Sequence, residues 1–177
     1  MAYERLTDEG LDYFPCRYGR SRMLFRGPKR KLGGRFITCI GGTETYGRFV
    51  ERPYPDLIAD LSGLKTINLG CPHAGLDVFA SDPAIHEIGH LAECTVIQVV
   101  GAQNMSNAFY SVHPRRNDRF LKAGPRLRGL YPKVDFTEFH FTGHLLSTLA
   151  YQSPAAFEVI RSELRATWLG RMQCVLA

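Results

Sequence analysis

The stretch CTVIQVVG, residues 94–101, is rich in β-branched and apolar residues and ends at a glycine. This composition is typical of a strand that is buried on both faces of a sheet. Directly before it, SDPAIHEIGHLAE (81–93) offers Ser81 or Asp82 as a helix N-cap and places a proline in the first turn. The two stretches together predict a helix that leads into a buried strand.

The same alternation precedes this pair. RFITCIGG (35–42) predicts a first buried strand, YPDLIADLSG (54–63) has the apolar spacing of a helix, and KTINLG (65–70) predicts a second strand. Strands that alternate with helices favour parallel pairing through crossover helices, so we expect an α/β fold, a three-layer αβα sandwich with a parallel sheet. Ligands bind such sheets outside the carboxyl ends of the strands.

The segments on either side of this alternation differ from it. Residues 1–34 are polar and predict an N-terminal extension that partly wraps an α/β domain over 35–177. Residues 104–135 are rich in Asn, Arg and Pro and predict a long loop with little regular structure, whereas 136–152 and 153–177 predict two helices. Because three parallel strands are few for a doubly wound domain, we expect the domain to be incomplete, truncated at its C-terminus, in a fragment of a longer protein.

Composition narrows the class of protein. The chain has 177 residues, 45% of them hydrophobic and 22% charged, which is ordinary for a soluble globular domain. Its five cysteines form no C-x-x-C pair, which argues against a disulfide framework. With neither a signal sequence nor an apolar run of about 20 residues, we expect a cytoplasmic protein without a membrane partner.

The net charge of +5 comes from basic residues that concentrate in 16–35 and 113–133. Because no nucleic-acid motif accompanies either run, we interpret them as a solvated basic surface and expect no nucleic-acid partner. The sequence leaves the oligomeric state open.

Polar residues and glycines follow each predicted strand. They are Gly42, Thr43 and Glu44 after the first strand, Asn68 and Gly70 at the end of the second, and Gln103 and Asn104 after the third. Because the carboxyl ends of parallel strands meet at one edge of the sheet, a hydroxyl, a glycine amide and side-chain amides would line one crevice. These are the parts of a nucleophile with an oxyanion hole.

These strand-end motifs carry a resemblance to known proteins. GGTETYG (41–47), NLG (68–70) and GAQN (101–104) resemble the first three sequence blocks of the GDSL/SGNH hydrolase superfamily. Together with CRYGRSRMLFRGPKRKL (16–32) and VHPRRNDRFL (112–121), they resemble an uncharacterised bacterial domain family related to that superfamily. The resemblance implies an SGNH or flavodoxin-like sandwich and hydrolysis or transfer of an acyl ester, on a carbohydrate or lipid-like small molecule, without a cofactor.

The resemblance also implies roles for individual residues. The nucleophilic serine of the superfamily falls on Thr43, and the aspartate before it falls on Gly42. The amide of Gly70 and the side chain of Gln103, or of Asn104 after a shift of one residue, would stabilise the oxyanion.

The D-x-x-H block that supplies the general base in the superfamily has no match in this chain. Asp135 and His140 are too far apart for this spacing. The superfamily carries this block after later strands, so a truncated chain would lack it.

Further contacts to the substrate are predicted from Gly42, Glu44, Asn68, His113 and Arg115. Glu44 could act as an acid or base beside Thr43, although a solvated glutamate in a first helical turn has a structural explanation as well. His113 and Arg115 could meet an anionic substrate, since arginine binds carboxylate or phosphate with two hydrogen bonds.

A zinc site is the alternative to this reading. His86, Glu87 and His90 match the pattern H-E-x-x-H, in which two histidines on one helix face bind zinc and the glutamate activates a water molecule. No third ligand follows at a metzincin spacing. The apolar positions of the same helix are expected to form its buried stripe, which leaves the pattern on the solvent side: Ala84, Ile85, Ile88, Leu91 and Ala92.

The sequence therefore favours a hydrolase or acyltransferase that holds no metal. It keeps open a non-catalytic ligand-binding domain on a degenerate hydrolase fold, and a zinc-dependent hydrolase.

Overall fold

A computed structural model describes residues 11–176. Its central element is a parallel sheet of three strands in the order β2-β1-β3, formed by β1 (Phe36–Gly41), β2 (Lys65–Gly70) and β3 (Cys94–Ile97). Every residue of β1 is buried, because this strand pairs with β2 on one side and β3 on the other. The predicted strand order along the chain and the parallel pairing are confirmed. The predicted burial of the third strand is wrong, because β3 ends at Ile97 and lies at the edge of the sheet, where its residues are exposed or partly exposed, and Val99 beyond it is 76% exposed.

Helices connect and cover these strands. Within the described residues they are α1 (Thr43–Tyr46), α2 (Tyr54–Ser62), α3 (Leu76–Ser81), α4 (Pro83–Leu91), α5 (Pro125–Leu130), a 3₁₀ turn (Phe136–Glu138), α6 (Thr142–Gln152) and α7 (Pro154–Leu176). The pairs α1–α2 and α3–α4 form the crossovers between parallel strands, so the protein is a mixed α/β fold. Nothing in residues 11–176 forms a helix both long and apolar enough to cross a membrane.

The predicted helix over 81–93 is confirmed as α4, with Asp82 as its N-cap, while Ser81 ends the preceding helix α3. The side chain of Asp82 accepts a hydrogen bond from the backbone N–H of Ala84 at 3.0 Å, which is the predicted N-cap, and α4 begins there. Ile85 and Ile88 are buried as expected. The prediction for Leu91 is wrong, since this side chain is 64% exposed at the last residue of the helix.

The prediction of a long loop over 104–135 is also wrong. This segment contains an antiparallel hairpin of β4 (Tyr110–His113) and β5 (Arg116–Ala123), followed by α5. Buried side chains of the hairpin include Val112 and Phe120, whereas arginine, lysine and proline occupy much of its exposed surface. A two-stranded sheet with one buried face needs few apolar residues, so composition alone resembled that of a loop.

The single helix predicted over 136–152 is two elements. A 3₁₀ turn at Phe136–Glu138 is capped by Asp135, whose carboxylate accepts from the backbone N–H of Thr137. Phe139 is extended and buried, and α6 begins only at Thr142. The last predicted helix is confirmed as α7 within the described residues.

Two hydrophobic clusters make up the core, and α7 contacts both. The first contains Phe36, Ile67 and Leu69 of the sheet, and the second lies between the hairpin and α6. Ile160 of α7 belongs to the second cluster, while the Trp168 indole donates a 2.8 Å hydrogen bond to the carbonyl of Val100 beside the first. The long helix therefore fastens the hairpin unit to the sheet.

The segment before β1 is bound to the domain by polar contacts and by buried aromatic rings. Phe25 is buried in the first cluster. The guanidinium of Arg26 donates to the carbonyls of Gly47 at 2.6 Å and Glu51 at 2.7 Å. These contacts hold the chain against the turn that follows β1. Helices on both faces of the sheet, as in a three-layer sandwich, stay a prediction.

Replacing Asp82 tests the contact between the segment before β1 and helix α4. Besides capping α4, its carboxylate accepts a 2.7 Å hydrogen bond from the buried hydroxyl of Ser21. We expect Asp82→Ala to lower the free energy of unfolding by about 1–3 kcal/mol, because a cap and a buried hydrogen bond are lost together. Urea unfolding measures this change. Asp60→Ala, which removes an exposed ion pair with Arg52, is the control, and an equal effect of both variants would contradict the assignment.

Burial predicts which cysteines react. Burial raises the pKa of the Cys39 thiol to about 12 and also raises that of Cys71, while Cys94 and Cys174 are exposed. Since the thiolate is the reactive form, iodoacetamide at about pH 8 should modify the exposed pair in the folded protein and the buried pair only after denaturation. Peptide mass spectrometry follows the four sites. Modification of Cys39 as fast as Cys94 in the folded protein would show that the first strand is not buried.

Candidate functional site

The first part of the site is the turn that follows β1. Gly42 precedes α1, and Thr43 is the first residue of that helix, as the glycine-rich sequence predicted. A side chain on Gly41 would collide with the hydroxyl of Thr45, so the close approach of strand and helix requires glycine there. Thr45 is buried, whereas Thr43 is partly exposed at the carboxyl end of the sheet.

The second part is the loop that follows β2. The backbone N–H of His73 donates a 3.1 Å hydrogen bond to the hydroxyl oxygen of Thr43. His73 has a φ of 62°, in the left-handed region that residues other than glycine seldom adopt. Such a conformation persists only where surrounding contacts hold it, and it is found often at functional sites.

The imidazole of His73 lies between groups of opposite charge. Its Nδ1 is 3.3 Å from Oδ2 of Asp118, and its Nε2 is 3.2 Å from Nη1 of Arg48. A guanidinium can only donate, so Nε2 must offer its lone pair and the ring proton lies on Nδ1, toward the carboxylate. This is the tautomer in which Nε2 can accept a proton.

The carboxylate of Asp118 has few other contacts. Its Oδ1 is buried and has no hydrogen-bond partner within the described part of the chain. Its negative charge is therefore available to stabilise a positive charge on the imidazole of His73.

The hairpin holds the loop in place. Asn117 is fully buried, and its Oδ1 accepts from the backbone N–H of Gly75 at 2.8 Å while its Nδ2 donates to the carbonyl of His113 at 2.9 Å. A side chain on Gly75 would collide with the backbone carbonyl of Asn104. Asn117 thus positions the loop of His73, and the neighbouring Asp118 reaches the imidazole from the same strand.

Sequence reasoning did not identify His73, Asp118 or Asn117. The available signal was the pair Asn117–Asp118 directly after the two arginines of the hairpin, together with a histidine that follows a strand-end glycine. Without knowledge of the hairpin, neither feature indicates that Asp118 and His73 lie close together.

Gln98, just beyond β3, supports the turn that carries Thr43. Its Oε1 accepts from the backbone N–H of Gly42 at 2.9 Å and from the hydroxyl of Thr45 at 2.7 Å. Its Nε2 donates to the carboxylate of Glu44 at 2.7 Å. Two predicted site residues, Gly42 and Glu44, are therefore bound to this amide, which fixes the turn relative to the sheet.

Asn68 has a similar role on the other side of β1. Its Nδ2 donates to the carbonyl of Thr45 at 2.8 Å, and its Oδ1 accepts from the backbone N–H of Gly70 at 2.9 Å. The amide of Gly70, predicted as an oxyanion donor, is thus already hydrogen-bonded. Both side-chain groups of Asn68 stabilise backbone near Thr43.

The two predicted residues after β3 have different surroundings. Gln103 is exposed, and its side chain lies against Gly101. Oδ1 of Asn104 accepts a 2.6 Å hydrogen bond from the hydroxyl of Thr142, whereas its Nδ2 has no partner among residues 11–176. The backbone and Cβ of Asn104 lie against Gly75, so Asn104 begins beside the loop that carries His73, and its side chain extends to Thr142.

The other predicted contacts lie on the hairpin turn and on α4. Nδ1 of His113 accepts from the backbone N–H groups of Arg115 and Arg116, each at 3.2 Å, so its ring stabilises the turn, and Arg115 is exposed.

The histidines of the H-E-x-x-H pattern lie on α4. His86 is partly buried, with a ring nitrogen 3.3 Å from the carbonyl of Ala80, while Glu87 and His90 are exposed. In the region that the structure describes, no group of three or more His, Cys, Asp or Glu side chains could hold a metal ion. The zinc alternative gains no support from this arrangement.

Comparison with known proteins gives one match. No curated protein and no solved structure is similar enough to the chain to count as a match. The match is to DUF6473, described as a domain of unknown function, and it gives no link to the GDSL/SGNH superfamily. Because this family matches residues 1–177, the chain belongs to the DUF6473 family.

Proposed function

We propose that the protein hydrolyses or transfers an acyl ester, with Thr43 as the nucleophile, His73 as the general base and Asp118 as the residue that orients it. One observation carries this proposal: His73 touches the Thr43 hydroxyl through its backbone and Asp118 through its ring. A hydroxyl, an imidazole and a carboxylate are the three groups of a nucleophilic triad, and here all three meet at the loop of His73. In this proposal His73 takes the role of the general base that the missing D-x-x-H block left unassigned.

The reaction would proceed in two steps. His73 Nε2 takes the proton of the Thr43 hydroxyl while Oγ1 attacks the ester carbonyl, and the histidine then gives this proton to the departing alcohol oxygen. The acyl group stays on Thr43 until water, or a second alcohol, is deprotonated by the same histidine and attacks it. Asp118 stabilises the imidazolium that forms in each step.

One movement is needed for this chemistry. Among the described residues, Nε2 of His73 contacts Arg48 and makes no hydrogen bond to the Thr43 hydroxyl. Such contacts commonly tighten only when substrate binds. The imidazole must therefore turn toward Oγ1, and Arg48 must leave Nε2.

For the oxyanion we favour Asn104 over the other predicted donors. Its amide nitrogen has no hydrogen-bond partner within residues 11–176, and its backbone lies against the His73 loop at Gly75. The N–H of Gly70 is instead bound to Asn68, and Gln103 lies against Gly101. Removal of one such donor typically lowers kcat by about 10²–10³-fold.

A non-catalytic binding domain is the second candidate. It is favoured by Arg48, which occupies Nε2, and by the engaged amide of Gly70. The methyl group of Thr43 also crowds a position where serine is the more common nucleophile. The same crevice would then hold a ligand without turning it over.

Substitutions of Thr43 and His73 separate these candidates. With p-nitrophenyl acetate as substrate, we expect Thr43→Ala to remove the activity and Thr43→Ser to retain it, since serine keeps the hydroxyl without the methyl group. His73→Asn should lower kcat by about 10²–10⁴-fold through loss of the base. Release of nitrophenolate, followed by absorbance, measures each rate.

The matched controls are Thr148→Ala on α6 and the exposed His140→Asn, and both should keep the rate of the unmodified protein. Equal background rates for the unmodified protein and Thr43→Ala would contradict hydrolysis of short-chain esters.

A third substitution tests the positioning of His73 by the hairpin. Asn117→Ala removes the acceptor for Gly75 N–H, so the loop should shift and kcat should fall by about 10-fold or more with a smaller change in KM. Asn117→Asp retains an acceptor oxygen and should recover part of the loss. Kinetics measured well below the melting temperature of each variant separate this effect from unfolding. A kcat that is unchanged in Asn117→Ala would contradict the positioning role.

A further inference from the structure

Arg48 is distinguished from neighbouring arginines by its contacts. Arg26 is buried with its guanidinium bound to backbone carbonyls, and Arg52 pairs with Asp60. Arg48 has no Asp or Glu partner within residues 11–176, and its guanidinium donates a hydrogen bond to the imidazole of His73 instead. The positive charge of Arg48 is therefore not paired with a carboxylate of the described residues.

The side chain of Arg48 is exposed and lies against an exposed aromatic ring. Its guanidinium lies over the ring of Phe49, with the carbon atom Cζ 4.8 Å from the ring centroid, and Phe49 is itself 69% exposed. Phe49 has a φ of 66°, a strained conformation for an aromatic residue. A strained and exposed aromatic ring does little for the core, so its orientation needs another explanation.

The charge on Arg48 opposes the proposed proton transfer. If His73 took up a proton on Nε2 with Arg48 still 3.2 Å away, two cations would face each other. Arg48 must therefore move, and it moves at least cost when an anionic group accepts its hydrogen bonds in place of the imidazole.

We propose that Arg48 selects substrates bearing a carboxylate or phosphate group, and that binding of this group draws Arg48 away from His73 and frees the base. This inference rests on the proposed function for the role of His73, while the binding of an anion by Arg48 can be measured without catalysis. The exposed ring of Phe49 lies against the same guanidinium and would contact the apolar part of the molecule next to its anionic group.

Paired substrates with one leaving group test the selection. We compare p-nitrophenyl acetate with mono-p-nitrophenyl succinate for the unmodified protein, Arg48→Gln and the control Arg52→Gln. We expect the unmodified protein and the control to prefer the succinate ester. Arg48→Gln should lower kcat/KM for that ester by about 10-fold or more, which is the loss of roughly 1.4 kcal/mol of binding. The same variant should hydrolyse the acetate ester faster than the unmodified protein, because the guanidinium no longer occupies Nε2 of His73. Retention of the preference in Arg48→Gln would overturn the inference while the ester hydrolysis stands.

A binding experiment tests anion recognition by Arg48 without depending on catalysis. Titration with inorganic phosphate, and separately with acetate, should shift the imidazole NMR signals of His73 in the unmodified protein and not in Arg48→Gln. The anion with the larger effect identifies the group that Arg48 prefers. If no ester is hydrolysed but the shift depends on Arg48, the proposed reaction fails and anion recognition stands. If neither anion shifts His73, the inference is overturned.

Discussion

The hydrogen bond from Gly75 N–H to the buried Asn117 joins the two halves of this structure. On one side is the loop that follows β2, and on the other is the hairpin that packs in the second hydrophobic cluster. A buried amide costs free energy unless its groups are satisfied, so the two halves must fit closely for Asn117 to find both partners. The left-handed conformation of His73 depends on this fit, because a loop without such contacts would relax to a less strained backbone.

The parallel sheet could be predicted because its signals are local. The apolar runs of β1 and β3 and the capping of α4 by Asp82 each lie within a few consecutive residues. The position of Thr43 at the end of β1 could be predicted for the same reason, since its turn follows directly from the glycines that end the strand. His73 and Asp118 were not identified, because their meeting depends on a hairpin whose exposed face is basic and polar. No local pattern states which distant segment will pack against a loop.

The H-E-x-x-H pattern is the converse case. The sequence pattern is strong, but the described residues around it do not supply further metal ligands. The burial of Ala84, Ile85 and Ile88 fixes how α4 faces the core. Glu87 and His90 then face solvent, and His86 lies near a backbone carbonyl. A metal needs ligands that converge from several directions, and the direction of a helix is decided by its apolar residues.

If His73 is the base of the proposed reaction, its position between Asp118 and Arg48 both orients the ring and restrains it. The carboxylate lies against Nδ1 and orients the ring, whereas the guanidinium donates to the lone pair of Nε2. A substrate that leaves Arg48 in place meets an Nε2 whose lone pair is already occupied. In the proposed reaction, selectivity arises from the same contact that restrains the base, since a group that binds Arg48 also exposes Nε2 beside Thr43, whereas a neutral ester must react without this help.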